Sequence, residues 1–288
     1  MSLKRRMSFP GRVCTLWVLG TLLFGYCLNC EKPLALGREI VELGSSETPP
    51  FWSANLANDG MCGEILHAIS ANSGITSKIV FYPTKRLIRM KTGNHVGDPE
   101  HWPDQKFEAV IPIATFCSSF YYYKPNHEKA IVFKDLGDLK GFTIGVIKRS
   151  IEDTSFFESR GIRIEESYKQ ESLFKKLKLG RIDLCGMVDL SGIVILNSLF
   201  PDEKGNFARI PLPRSVSAIC IMIDADYPNA KQIADQYRAG LDTVVANGTY
   251  RSILQKYYGP NNVPKDWFVQ LLRFRAQYEK KTPTVSDR

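Results

Sequence analysis

"NAKQIADQYRAGLDTVVANGTYRSILQKYYGP", residues 229–260, is the most legible stretch of the chain. Ile233, Tyr237, Leu241 and Val244 follow at steps of four, four and three, which lays one apolar stripe along a helix. Asn247-Gly248 breaks the pattern. Thr249 stands as the cap of a second helix with Tyr250, Ile253, Leu254 and Tyr257 on its inner face, and Gly259-Pro260 ends it. The segment reads as a helical hairpin packed on a core.

Moving outward, the chain from Arg38 alternates strands with helices. Ile40–Leu43 is strand-like, and Gly63–Ala71, with Ile65, Leu66 and Ile69 on one face, is helical. Ser77–Tyr82 is extended, Lys85–Lys91 helical, and Phe107–Ile113 and Phe120–Tyr123 extended. A second series follows: strand 142–147, helix 151–159, strand 162–165, helix 170–179 and strand 182–188. This βα alternation predicts an α/β architecture in two units. Trp267, Phe268, Leu271, Leu272 and Phe274 add a docked helix, before a tail over 276–288 expected to fray.

Between the two series lies "DLGDLKGFTIGVIKRSIED", residues 135–153. Phe142–Ile147 is a β-branched and aromatic run, and the chain then enters a helix with Ser150 as N-cap and Glu152 and Asp153 in the first turn. A helix N-terminus with free N–H groups is an anion site, and Arg149 beside it offers a planar fork to a carboxylate or phosphate. The same residues also read as an ordinary capped connection with two solvated cations.

Composition narrows the function. The chain has 288 residues, 44% hydrophobic and 24% charged, as in a globular protein of two ordinary domains or one large one. Its net charge is +8, but Lys4, Arg5, Arg6 and Arg12 supply four of those charges near the start, leaving +4 dispersed over the rest and no nucleic-acid footprint. Residues 1–30, a basic start followed by an uncharged apolar run over 13–29, read as a secretory signal peptide, with an uncleaved membrane anchor as the alternative. Cys62, Cys117, Cys185 and Cys220 lie in the body of the chain, and their spacing fixes no pairing. His67, His95, His101 and His127 are scattered without metal-ligand spacing, so neither a metal nor a cofactor is expected. Cys62 near a helix start, with His67 five residues on, is a conceivable nucleophile, but a helix places those two on different faces. No catalytic constellation emerges.

"LDTVVANGTYRSILQKYYG" resembles the terminal signature of bacterial extracellular solute-binding proteins of the amino-acid-binding type (family 3), and "DLGDLKGFTIGVIKRSIED" resembles their entry to the second lobe. "ETPPFWS", "GEILHAI" and "PTKRLIRMKTG" are similar to first-lobe landmarks, so the resemblance runs in order over residues 38–260. It implies a two-lobed type II periplasmic-binding-protein fold, each lobe a sheet flanked by helices, joined by two hinge strands near Phe120–Lys124 and Ile219–Asp224. The lobes would comprise residues 31–121, 122–222 and, returning to the first lobe, 223–275. A ligand would sit in the cleft, and lobe closure would be the functional motion.

The resemblance also places candidate ligand contacts. Phe51 and Trp52 follow Pro49-Pro50 and are either a stacking wall or core; Arg86 either points into the cleft or covers exposed surface. Relatives carry a Thr followed by a carboxylate-clamping Arg, whereas "FEAVIPIATFCSSFYYYKP" offers Thr115 and no arginine, leaving Arg149 or Arg86 as substitutes. Tyr122 is the hinge tyrosine expected to face the cleft. Asp189, in "GRIDLCGMVDLSG", corresponds to the carboxylate that takes a ligand amino group, but it lies one residue later than expected and alternatively caps the following helix. The expected function is capture of a small polar solute, an amino acid or related compound, by a monomer in the periplasm that serves an ABC-type permease in the inner membrane. A cyclohexadienyl dehydratase-like enzyme and a ligand-sensing module are the alternatives.

Overall fold

A computed structural model describes residues 39–148 and 153–279, with only the backbone of Pro213 and Arg214. The expected signal peptide therefore lies outside the described residues. The chain begins with β1 (Glu39–Ser45), then α1 (Met61–Ser73), β2 (Ile75–Phe81), a one-turn α2 (Thr84–Leu87), and β3 (His95–Gly97). A 17-residue strand β4 (Phe107–Tyr123) leads into β5 (Thr143–Ile147), a short α3 (Ser155–Glu158), β6 (Arg163–Ser167), α4 (Gln170–Lys178), β7 (Leu184–Val188) and α5 (Asp189–Leu199). The 18-residue β8 (Phe207–Asp224) returns, followed by α6 (Ala230–Ala246), α7 (Thr249–Tyr258) and α8 (Trp267–Glu279).

All eight strands join one mixed sheet in the order β2-β1-β3-β8-β4-β7-β5-β6. The long antiparallel pair β4 and β8 runs through it, so the two extended stretches read separately at 107–113 and 120–123 are one strand. Pro112 is tolerated inside it because a register shift falls between Pro112 and Ala114, where the ladder is already interrupted. β3 flanks β8 only over Cys220–Met222, and β7 flanks β4 only over Ser118–Tyr121. Between these, Ala114–Cys117 pairs with Val216–Ile219 alone, a two-stranded neck joining two halves of the sheet. Two-stranded ribbons twist more freely than wide sheets. The neck precedes the 121 and 222 boundaries expected from sequence. By Phe120–Tyr123 the strand is inside the second half, and by Ile221–Asp224 its partner is inside the first.

The first half carries the larger core. Ile233, Tyr237, Leu241 and Val244 of α6 are all fully buried, as the spacing of the stripe predicts. Burying side chains of this size stabilises by about 1.5–3 kcal/mol each. The Tyr237 hydroxyl is satisfied in a chain with Ser77 (2.8 Å) and Ser70 (2.6 Å), linking α6 to β2 and α1. Gly240 lets α6 approach α1 closely, since a Cβ there would stand 2.7 Å from the Ile69 carbonyl. Tyr250 of α7 donates to the Ile113 carbonyl (2.7 Å) and accepts from Trp267 Nε1 (3.0 Å), so the hairpin and α8 are tied to the central strand. Thr249 is the first helical residue rather than the cap. Gly248 (φ 83°) takes the left-handed cap, and Asn247 Oδ1 accepts from the Thr249 N–H. Helix α8 extends to Glu279, past the start of the expected tail at 276.

Candidate functional site

A cavity of about 160 Å³ opens where the C-terminal ends of β1, β3 and β7 meet the neck. Ser45 and the loop after β1 contribute Ser46, Thr48, Phe51 and Trp52; β3 and the turn beyond it contribute Val96, Gly97, Asp98, His101 and Trp102. Leu87 and Ile88 close one side, Phe116 and Ile219 come from the neck, and Val188 comes from the second half. Strand ends at a switch in strand order are where α/β sheets bind ligands, because connections diverge there and leave a crevice.

Backbone bonds hold the aromatic loop in place. Thr48 N–H donates to the Trp52 carbonyl (2.8 Å) and Phe51 N–H to the Thr48 carbonyl (3.0 Å). Met61 and Cys62, the first residues of α1, donate to the carbonyls of Pro50 and Phe51 (both 2.9 Å), so these N–H groups are used by the loop and not left for an anion. Gly60 (φ 88°) makes this approach possible: a Cβ there would meet the Pro50 carbonyl oxygen at 2.6 Å. The result is a rigid wall. Phe51 meets Phe116 edge-on at 6.2 Å, and Trp52 is 2% exposed with its indole Nε1 buried and unpartnered.

The opposite wall is held as firmly. Trp102 donates Nε1–H to the Leu87 carbonyl (3.3 Å) and stacks on His95 at 4.5 Å with 5° between the rings. His95 is fully buried, its Nε2 is 3.1 Å from Gln105 Oε1, and burial lowers its pKa, partly offset by the Gln105 bond and Asp224. Asp98 caps the turn by accepting from the Glu100 N–H (3.0 Å) and stands with His101 at the edge of the cavity.

The expected site residues divide. Phe51 and Trp52 border the cavity and are at the same time buried members of the first-half core, so the structure carries both readings of them. Thr115 is buried beside it, but strand neighbours alternate and Phe116 is the one that lines it. Asp189 is also displaced. Val188 faces the cavity, while the Asp189 carboxylate is buried behind it, accepting from Arg209 (2.5 Å) and from the Cys117 thiol (3.0 Å). A single residue of extra spacing is enough to turn a side chain to the other side of a strand end. Its place at the first residue of α5 suits a carboxylate, since the helix dipole favours negative charge there. Tyr121 donates to the Asp189 carbonyl (2.9 Å) from the same side.

Tyr122 is not in the cavity; it is packed with Phe120, Ile144 and Leu184 in the second-half core, because its strand is covered on both faces. Arg86 stacks on Tyr82 at 5.1 Å and lines a shallow surface depression with Lys85 and Arg89, away from the cavity. Arg149 and Ser150 lie outside the described residues. Cys62 is fully buried, which raises its thiol pKa well above the usual value, and His67 pairs instead with Asp59 (2.9 Å), so the nucleophile reading has no support. All four body cysteines are free thiols, and burial pushes Cys117 up to about 12.

No family model and no curated protein matches the chain. Solved structures do. The glutamate-bound ligand-binding core of GluR0 from Nostoc punctiforme superposes with a TM-score of 0.53 at 19% identity, over 76% of this chain and 100% of that one. The substrate-binding protein of an amino acid ABC transporter gives 0.50 at 16% identity, over 76% and 98%. The fold is that of the type II periplasmic binding proteins. A histidine kinase sensor domain with similarity to periplasmic binding proteins gives 0.53 at 15% identity, over 77% of this chain and 96% of that one. Among the described residues of this binding-protein fold, no helix is long and apolar enough to cross a membrane.

Sequence reasoning missed much of this cavity. Phe116 was one position from the residue chosen, and Val188 one position from Asp189. The "GDPEHWPD" turn, residues 97–104, carries Asp98, His101 and Trp102 and has a readable N-cap signal in Asp98-Pro99, but nothing in its sequence says that it folds back beside β1.

Proposed function

We propose that this chain is an exported solute-binding protein that captures a small solute between its two halves, as a monomer, and presents it to an ABC-type permease in the inner membrane. The observation that carries the reading is the cavity itself. Its walls come from the first half, from the neck and, through Val188, from the second half, so a guest there bears on how the halves close. The similarity to a transporter's substrate-binding protein supports delivery to a permease, and the leader read at 1–30 supports export to the periplasm. A sensing module is the second reading, favoured by the similarity to the histidine kinase sensor domain. The dehydratase reading calls for a pair of carboxylates, and among the described lining residues Asp98 is the only one.

The test is a thermal-shift screen of small solutes on the mature protein, followed by small-angle scattering with each hit. A ligand at 100 times its Kd should add about 2.7 kcal/mol of stability. The envelope should contract. A protein that neither gains stability nor contracts with any solute overturns the reading. Stimulation of ATP hydrolysis by a co-expressed permease then separates transport from sensing.

A further inference from the structure

We propose that the guest is a small ring compound, neutral or cationic, bearing a hydrogen-bond acceptor, and not a free α-amino acid or other carboxylate. The inference rests on the reading of the cavity as the solute site and deepens it.

Charge is the first argument. Among the described residues, no lysine or arginine lines the cavity; Asp98 is its carboxylate and His101, exposed at the edge, its only basic side chain. Arg86 is turned to another surface, and the N–H groups of Met61 and Cys62 are taken by backbone carbonyls. A carboxylate entering this space would give up its water with no cation or free helix terminus among the described residues to replace it. A cation would find Asp98 and the aromatic side chains of Phe51, Trp52 and Trp102.

Shape and hydrogen bonding add the rest. The walls are aromatic and aliphatic, and about 160 Å³ is close to the roughly 150 Å³ of an apolar cavity known to admit one benzene ring. The Trp52 Nε1–H is buried without an acceptor, although its ring is locked by the loop that carries it. Buried donors are nearly always paired, so a carbonyl, ether or ring nitrogen of the guest is the partner this group lacks.

The experiment uses calorimetry on the mature protein at about pH 8, where an ordinary imidazole is neutral. The probes are matched pairs, benzamide with benzoate and nicotinamide with nicotinate, together with benzylamine, L-glutamate and L-arginine. At least one amide or benzylamine should bind, with the carboxylates and amino acids tenfold or more weaker. Trp52→Phe, which keeps the ring and deletes the N–H, should weaken amide binding about tenfold. Asp98→Asn, which keeps the turn's cap, should weaken benzylamine and spare the amides. A carboxylate or amino acid that binds as tightly as any amide, and is weakened by Trp52→Phe or abolished by Arg149→Ala, overturns the ligand class while leaving the solute-binding reading intact. Binding unchanged by Trp52→Phe overturns the assignment to this cavity. Silence from these probes and from all twenty amino acids overturns both.

Discussion

Two buried polar groups sit on either side of the neck and are treated in opposite ways. On one side Asp189 is a charge compensated from within the protein through Oδ2, which takes a guanidinium from β8 and a thiol from β4 and fastens the second half to the neck, while its Oδ1 is buried without a partner. On the other side Trp52 is a neutral donor held rigidly and given no partner. A charge removed from water must be paired where it stands, whereas a single unpaired N–H is a cost small enough for a fold to carry. The first arrangement therefore belongs to stability, and the second is the one we propose for recognition.

Substitutions can break this contrast. The largest effect should come from Arg209→Ala, which strands the Asp189 carboxylate in a site where its side chain is 3% exposed. Removing one partner of such a pair costs about 3–5 kcal/mol, towards the lower end here because the Arg209 head group is itself partly in solvent. Urea denaturation should register that loss, while a ligand of the cavity keeps its affinity in the folded fraction. If affinity falls and stability does not, the two groups have been assigned to the wrong sides.

Tyr250→Phe should come next. It leaves the Ile113 carbonyl and Trp267 Nε1 without their shared hydroxyl, for a loss of about 1–3 kcal/mol in the same assay and no change in ligand binding. A smaller effect is expected from pH. Burial depresses the His95 pKa, so the unfolded chain binds the proton more readily than the folded one. The His95 contribution is complete above the unfolded value of about 6.5 and is lost as the pH falls below it. The Tm should drop between about pH 7.5 and pH 5.5, with a shallower slope in His95→Asn. Because His95 backs Trp102, ligand affinity should decline only at lower pH, where the imidazole of the folded protein takes up its own proton. The smallest effect belongs to Lys78→Ala: its bond to Glu42 (2.6 Å) is fully in solvent, and no change in Tm should be measurable.

The pair of residues at 188 and 189 marks how far the sequence could be read. That a polar group ends β7 and opens α5 was legible from the alternation and from the carboxylate at a helix start. Which of two neighbours meets the cavity was not, because strand periodicity assigns opposite sides to adjacent residues and one position of uncertainty reverses the answer. Thr115 and Phe116 repeat the lesson on β4. Tyr122 fails differently: a strand covered on both faces has no cleft side to choose. The long strand β4 reads as two for a related reason, since the run from Ala114 to Ser119 breaks its aliphatic pattern until β8 is laid against it.

The sequence by itself determined the α/β class, the order of most strands and helices, the hairpin over 229–260 and the aromatic pair Phe51-Trp52, because hydrophobic period and turn chemistry act over a few residues. Only the tertiary structure decided where the neck falls, that Asp189 belongs to Arg209, and that the "GDPEHWPD" turn walls the cavity beside a loop some fifty residues earlier. These are contacts between segments distant in the chain. They are set by how the sheet closes its ladder and fills its core, which no local pattern encodes.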